Sequence, residues 1–424
     1  MKQFMLKYKT GTEWLSYILF IITLFSLAFP WSLTQPLIVA WVISWLLEGR
    51  WLKRPAWHNS LIPQLLLVAL LIFEALSLLW HDNTPAILHE INIHHPILYV
   101  LILSLWGLNQ KYDADILRVS LIAGCLLSAV YYIGFNYYVV NHQIEEYLRP
   151  NTSWDIFDLG EGPSKWVKHR QHYSIVLLLA VAFCPSLFRI IRQRLNLSAI
   201  AATSITLIAA TLLITIIFAT SSRIALLLLP LIILIMLFHY GNRYVSKRTI
   251  AITTTLIVVC GITILAVHPR MKRLYNDIAN IEQGITEDLD NPQEPRWHIW
   301  QTVIDNRDSY GLLGIGIGND IPFLVEKYKE EGFGHEAYQG YSAHNQFLHE
   351  WITLGPIAAI LLLLAFGLMP FMPPKGRRYT ATIVALIFIA SMMTDIPLEF
   401  IGTLYILYCT LILIETEVKS QTSY

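Results

Sequence analysis

Long apolar runs recur along the chain, each followed by a short polar joint. They fall at roughly 14–32, 35–48, 61–80, 90–107, 116–138, 173–190, 197–219, 222–240, 249–267, 345–369, 379–394 and 397–415. About 20 helical residues cross a hydrocarbon core of about 30 Å. The pattern therefore predicts an all-α, polytopic membrane protein, residues 1–424 forming a single integral membrane domain with about twelve transmembrane helices. The run at 35–48 is short. The run at 90–107 opens on His89-Glu90-Ile91-Asn92-Ile93-His94-His95, which suits a helix that starts in the interface. Two stretches are too polar to span, about 139–172 and 268–344. In the longer one, Arg270–Ile285 has an amphipathic pattern, and Arg296–Asn306 predicts a short helix with Pro295 at its first turn. Trp297 and Trp300 suit it to the interface, and Gly311, Gly314, Gly316 and Gly318 then make a run rich in turns.

Composition agrees with this reading: 55% of residues are hydrophobic and only 14% charged, which excludes an ordinary soluble enzyme. The formal net charge is zero, so nothing points to nucleic acid. The placement of charge is informative. Every second loop is basic (Lys2/Lys7/Lys9, Arg50/Lys53/Arg54, Lys111/Arg118, Arg189/Arg192/Arg194, Arg243/Lys247/Arg248, Lys375/Arg377/Arg378, then Lys419), and the short loops between carry no lysine or arginine. The positive-inside rule then places both termini in the cytoplasm and the loops 139–172 and 268–344 on the outer face. The apolar segment after Trp14 is too long for a cleavable signal and leads into further spans. Cys125, Cys184, Cys260 and Cys409 all fall in apolar segments and read as buried thiols rather than a disulfide framework.

The basic residues that break the alternation carry the functional signal. Arg149, Lys165, Lys168 and Arg170 lie in the first outer loop, Arg223 between the seventh and eighth spans, and Arg270, Lys272, Arg273, Arg296, Arg307, Lys327 and Lys329 in the second. Positive charge on that side suggests an anionic ligand, although Arg307, Lys327 and Lys329 read as solvated loop charge. Arg223, in Thr220-Ser221-Ser222-Arg223-Ile224-Ala225, either snorkels to headgroup phosphates or clamps a diphosphate. Arg296 either pairs with Glu294 or Asp290 or is a second arginine on the same diphosphate. Lys168-His169-Arg170-Gln171-His172 runs into a span and places Lys168, Arg170 and His172 where they can add anion contacts.

His344 opens the tenth run, Tyr341-Ser342-Ala343-His344-Asn345-Gln346-Phe347-Leu348-His349-Glu350-Trp351-Ile352-Thr353-Leu354-Gly355-Pro356. A continuous helix from there puts Gly355 about three turns on, nearly on the same face, where its lack of a side chain admits a neighbouring helix. His344 at the mouth of the bundle is either a capping or interface-belt histidine or a general base.

Thr-Ser-Ser-Arg at the mouth of one span, Pro295-Arg296-Trp297-x-x-Trp300 followed by a glycine turn, and His344-Asn345 with Gly355 opening the next span together resemble the O-antigen ligase family. That family belongs to a superfamily that includes O-antigen polymerases and bacterial protein O-oligosaccharyltransferases. The resemblance covers about 200–400. It departs from the family pattern at Ala358, where a glycine, threonine or tyrosine is usual. It implies a metal-independent transferase without cofactor, working at the periplasmic face of a bacterial inner membrane. The donor it implies is an undecaprenyl-diphosphate-linked glycan and the acceptor a sugar hydroxyl of lipid A-core, with membrane lipids around both. His344 would be the base, Arg223 and Arg296 would hold the diphosphate, and Asn345, Arg170, His172 and Lys168 would line the substrate site.

Other signals are weaker. His89-Glu90-x-x-x-His94 is one residue too long for the zinc-protease helix. Asp288-Leu-Asp290 lacks the nucleotide-binding domain that such a pair serves. Gly314-x-Gly316-x-Gly318 lacks the strand–turn–helix unit of a dinucleotide fingerprint. Glu74, inside a span, and Asp395 and Glu399, at an outer turn, read as internal partners for an arginine. A polymerase on the same carrier, a protein O-oligosaccharyltransferase and a lipid-linked glycan transporter remain as rival functions. A transporter predicts related halves, and the sequence has no internal repeat.

Overall fold

The computed structural model describes residues 11–52, 54–55, 57–106, 112–142, 170–220, 222–241, 246–267, 295–333 and 340–416. The described residues are helical, with no strand among them. In chain order the helices are α1 (Gly11–Ser26), α2 (Trp31–Leu47), α3 (Ile62–Leu76), α4 (Thr84–His94), α5 (Pro96–Trp106), α6 (Ala114–Asn141), α7 (Arg170–Gln193), α8 (Ala199–Ala219), α9 (Arg223–Met236) and α10 (Lys247–Val267). The long polar stretch contributes α11 (Pro295–Asp305) and α12 (Asp320–Glu330), followed by α13 (Gln346–Leu354), α14 (Pro356–Leu368), α15 (Arg378–Met392) and α16 (Ile401–Thr416). Among the described residues, six stretches are long and apolar enough to cross a membrane: Asn59–Leu79, Thr84–Trp106, Ala114–Phe135, Gln171–Gln193, Ala199–Ala219 and Arg223–Gly241. Helices also lie in the other expected runs, but α1, α2, α14 and α16 are shorter. The protein is an all-α membrane protein.

Burial sorts the helices. From Gly402 to Ile414 every residue of α16 is buried, and α7 is buried from Gln171 to Cys184. A helix that is apolar on all sides belongs at the centre of a bundle. By contrast, Ile200, Leu207 and Ile208 on α8 and Leu256 and Ile262 on α10 are exposed, as a lipid-facing surface requires. Consecutive helices α6, α7 and α8 pack in sequence, and α9 and α15 both pack on α7.

Charge separates the two ends of the bundle. At one end Arg189 grips Asp115 at 2.9 and 2.5 Å, Arg194 pairs with Asp113 and Arg377 with Glu415. These join the end of α7 to the start of α6, and the start of α15 to the end of α16. The other end gathers the start of α7, the turn between α15 and α16, and the start of α13.

The tenth run is not one helix. Gly355, at φ 87° and ψ 177°, ends α13 and starts α14 at Pro356. That conformation is almost restricted to glycine. What approaches Gly355 is the glycine-rich loop backbone, not a neighbouring helix: a Cβ there would lie 2.2 Å from the Leu312 carbonyl oxygen. Gly314 is tight in the reverse sense, since its Cβ would lie 2.4 Å from the Thr353 carbonyl. The two backbones are also bonded, Ile315 N–H to the Ile352 carbonyl at 2.8 Å and Gly316 N–H to that of Thr353 at 3.0 Å. On its far side the loop meets the turn before α4, where His81 Nε2 lies 3.1 Å from the Leu313 carbonyl.

Gly355→Ala and Gly314→Ala should therefore each melt the protein well below wild type in detergent, because backbone, not a flexible side chain, occupies the space. Gly311→Ala has open space around it and should cost only the left-handed strain, about 1–2 kcal/mol. Equal melting temperatures for G311A and G355A would refute the tight loop contact.

Candidate active site

His344 sits immediately before α13 with φ +44°, a left-handed conformation that is uncommon outside glycine. Asn345 is the cap of that helix: its Oδ1 accepts from Phe347 N–H at 3.0 Å and Leu348 N–H at 3.2 Å. Its Nδ2 donates to the Met393 carbonyl at 3.3 Å. Asn345 therefore holds the start of α13 against the end of α15, and this sets the direction of the ring beside it.

The partner of that ring is Asp395, in the turn between α15 and α16. Its Oδ1 lies 3.5 Å from His344 Nδ1, and it also accepts from Ile396 N–H at 3.0 Å. Burial raises the Asp395 carboxyl, but His344, the Ile396 amide and His172 outweigh it and leave the group below the ordinary aspartate range. His172, on the first turn of α7, is buried, and its ring lies tilted against that of Phe400 with the centres 4.6 Å apart. Tyr341 meets His344 edge-on at 5.5 Å between ring centres. The expectation that Asp395 and Glu399 answer an arginine is corrected: both face histidines. The reason is position, since the turn that carries them packs on the starts of α7 and α13, where the sequence supplies His172, His344 and His349.

The loop helix α11 packs against α13. Trp300 Nε1 donates to the Ala343 carbonyl, next to His344, at 3.1 Å. Arg296, half-buried, stands one turn before Trp300 on the same helix, so this bond ties the arginine's helix to the histidine's. Arg223 begins α9, also half-buried, and reaches this end of the bundle by the up-and-down course of α7, α8 and α9. Arg170 begins α7; its side chain and Lys168 lie outside the described residues, as do Arg149, Lys165, Arg270, Lys272, Arg273, Asp288 and Asp290. Arg307 and Lys327 behave as local loop charge, bonded to the Ile304 carbonyl at 3.1 Å and to Glu330 at 2.6 Å.

Beside the His344–Asp395 pair lies a buried array of acids and histidines that sequence reasoning did not assemble. Glu74 of α3 meets His94 Nδ1 at 2.9 and 3.1 Å, and His94 Nε2 meets the Leu398 carbonyl at 3.2 Å. The Leu398 carbonyl only accepts, so Nε2 carries a proton and donates to it, while Nδ1 shares a proton with the Glu74 carboxyl. Glu90, His94 and Glu399 come within 4.8 Å of one another, a spacing open to a metal ion. With Nδ1 turned to Glu74 and Nε2 to the Leu398 carbonyl, neither ring nitrogen is turned to a metal, and the cluster reads as a hydrogen-bonded set of acids and histidines. His349 extends it, with Nε2 3.5 Å from Glu399 and Nδ1 3.3 Å from Asp320, the first residue of α12. The only signal in the sequence was the residue types themselves, spread from Glu74 to Glu399 without a common spacing.

Fold and site together define an all-helical membrane protein with a histidine–aspartate pair at one end of its bundle and an arginine-bearing loop helix bound to it. Residues 207–363 match the family model for O-antigen ligase, so this part of the chain is similar to that family. The matched segment runs from α8 into α14 and contains Arg223, Arg296, His344 and Gly355. No curated protein matches the chain significantly.

The Asp320–His349 pair gives a stability prediction. Burial raises Asp320, but the hydrogen bond and charge of His349 outweigh it and hold the carboxyl below its ordinary 3.8. A lowered folded value means the contribution is complete above the unfolded pKa and fades as pH falls through the folded one. Asp320→Asn should lower the melting temperature at pH 7, and the gap to wild type should close below about pH 4. A gap that stays constant into acid would show that the pair contributes nothing.

Proposed function

We propose that the chain is a ligase-type glycosyltransferase of the bacterial inner membrane. It moves a glycan from undecaprenyl diphosphate to a sugar hydroxyl of lipid A-core at the periplasmic face, with both termini in the cytoplasm. The observation that carries this reading is the His344–Asp395 pair, at 3.5 Å, held beside a loop helix that brings Arg296. The O-antigen ligase match over the same residues supports it.

In this mechanism Asp395 faces Nδ1 and favours the tautomer with its proton there, which leaves Nε2 to act as base. The acceptor oxygen attacks the anomeric carbon as its proton passes to His344 Nε2. The new carbon–oxygen bond forms while the bond to the diphosphate breaks, and this single displacement inverts the anomeric centre. Arg223 and Arg296 meet the charge of the departing undecaprenyl diphosphate, with bidentate grips that an ammonium cannot reproduce. His172 and Asn345 support the pair from α7 and α13, and Lys168 and Arg170 would add anion contacts to the substrate. Two guanidiniums supply the charge compensation that a metal gives in other transferases, so the reaction is metal-independent.

Purified protein with donor and acceptor should stay active in excess EDTA. His344→Ala should lose about 10²–10⁴ in rate while donor binding persists, and Arg223→Lys and Arg296→Lys should each be impaired. Activity abolished by EDTA and restored by magnesium or manganese would overturn the arginine mechanism, and normal transfer by H344A would remove the base.

Lipopolysaccharide from a strain lacking the gene separates ligase from polymerase. Bare core with full-length polymer left on the carrier is the expected result. Core bearing a single repeat unit would assign the chain to the polymerases instead.

A further inference from the structure

We infer that Gln346 is the positioning residue of the His344–Asp395 pair, and that Glu399, His349 and Asp320 extend its hold to the outer loop. The inference rests on the reading of His344 as the base. Gln346 is the first residue of α13, two positions after His344, and is completely buried. Its backbone N–H donates to the Asp395 carbonyl at 3.1 Å. Its side-chain Oε1 accepts from Leu398 N–H at 3.1 Å, and Nε2 donates to Glu399 and to Glu350, both at 3.1 Å. Three of these four bonds reach the segment 395–399, which carries Asp395.

An amide carries a carbonyl acceptor and two N–H donors on one uncharged side chain, and all three are used at this place. It accepts from a backbone N–H on one side and donates to two carboxylates on the other. The start of α13 and the α15–α16 turn are therefore joined by one side chain, and that joint fixes the distance from Asp395 to His344. From Glu399 the same contacts continue to His349 at 3.5 Å and on to Asp320 at 3.3 Å. Asp320 begins α12, so the position of the outer-loop helix is tied through two ion pairs to the geometry of the pair. These residues act through His344 and are not themselves catalytic.

The test compares transfer by purified Gln346→Glu, Gln346→Met and the double exchange Gln346→Glu/Glu399→Gln. In Q346E a third carboxylate faces Glu350 and Glu399 and no donor remains between them. Its kcat should fall by about tenfold or more, with the donor KM little changed, because the arginines are untouched. The double exchange sets an amide against a carboxylate again and restores the cluster's net charge, so it should recover most of the lost kcat. Q346M removes the side-chain bonds without adding charge and should show the same loss of kcat at constant KM, which keeps the question open to test if Q346E fails to fold. Wild-type kcat in Q346E or Q346M, or a double exchange no faster than Q346E, overturns the assignment. Undiminished transfer by H344A would instead overturn the reading of the base, whatever the Gln346 variants do.

Discussion

Polar groups shut away from water at the His344 end of this bundle must find partners within the protein, and that constraint shapes the site. Hydrocarbon surrounds the spans and offers no hydrogen bonds, so each unpaired group costs several kcal/mol. Glu74 is met by His94, His349 by Asp320 and Glu399, and the Gln346 amide by a backbone N–H and two carboxyls. Because these partners come from α3, α4, α12, α13 and the α15–α16 turn, satisfying them fixes how those elements meet. Apolar contact alone would leave the helices freer to slide, since lipid tails are as apolar as leucine. The polar network supplies register where greasy faces do not.

Much of the fold was legible because length and apolarity are local properties of a run. The helices fall where the apolar runs do, and the basic residues at the ends of α6, α7 and α15 gather at one end of the bundle. The break at Gly355 was also written in the chain. Gly355-Pro356 is a helix stop followed by a helix start, but the unbroken apolarity around it favoured a single span. Pairings between distant residues were not legible. Asp395 stands 51 positions after His344 by their numbers, and nothing in either neighbourhood names the other. An acid at an outer turn suits an arginine or a histidine equally until packing decides.

Arg223 and His344 stand out in the sequence as candidates for a different reason. A cation at the mouth of an apolar helix, or a polar opening to an apolar run, contradicts its surroundings and so marks itself. The resemblance places Asn345 in the substrate site, and in the structure its side chain caps α13 and bonds the Met393 carbonyl.

The division of the tenth run at Gly355 has a mechanical consequence. A catalytic group carried on a rigid spanning helix would shift and tilt whenever the bilayer thickened or thinned around it. Here α14 can lean with the lipid while α13 stays bonded to the glycine loop through Ile352 and Thr353 and to the α15–α16 turn through Gln346. The histidine thus takes its bearings from the glycine loop and the α15–α16 turn and not from α14, and its geometry is insulated from the thickness of the surrounding lipid.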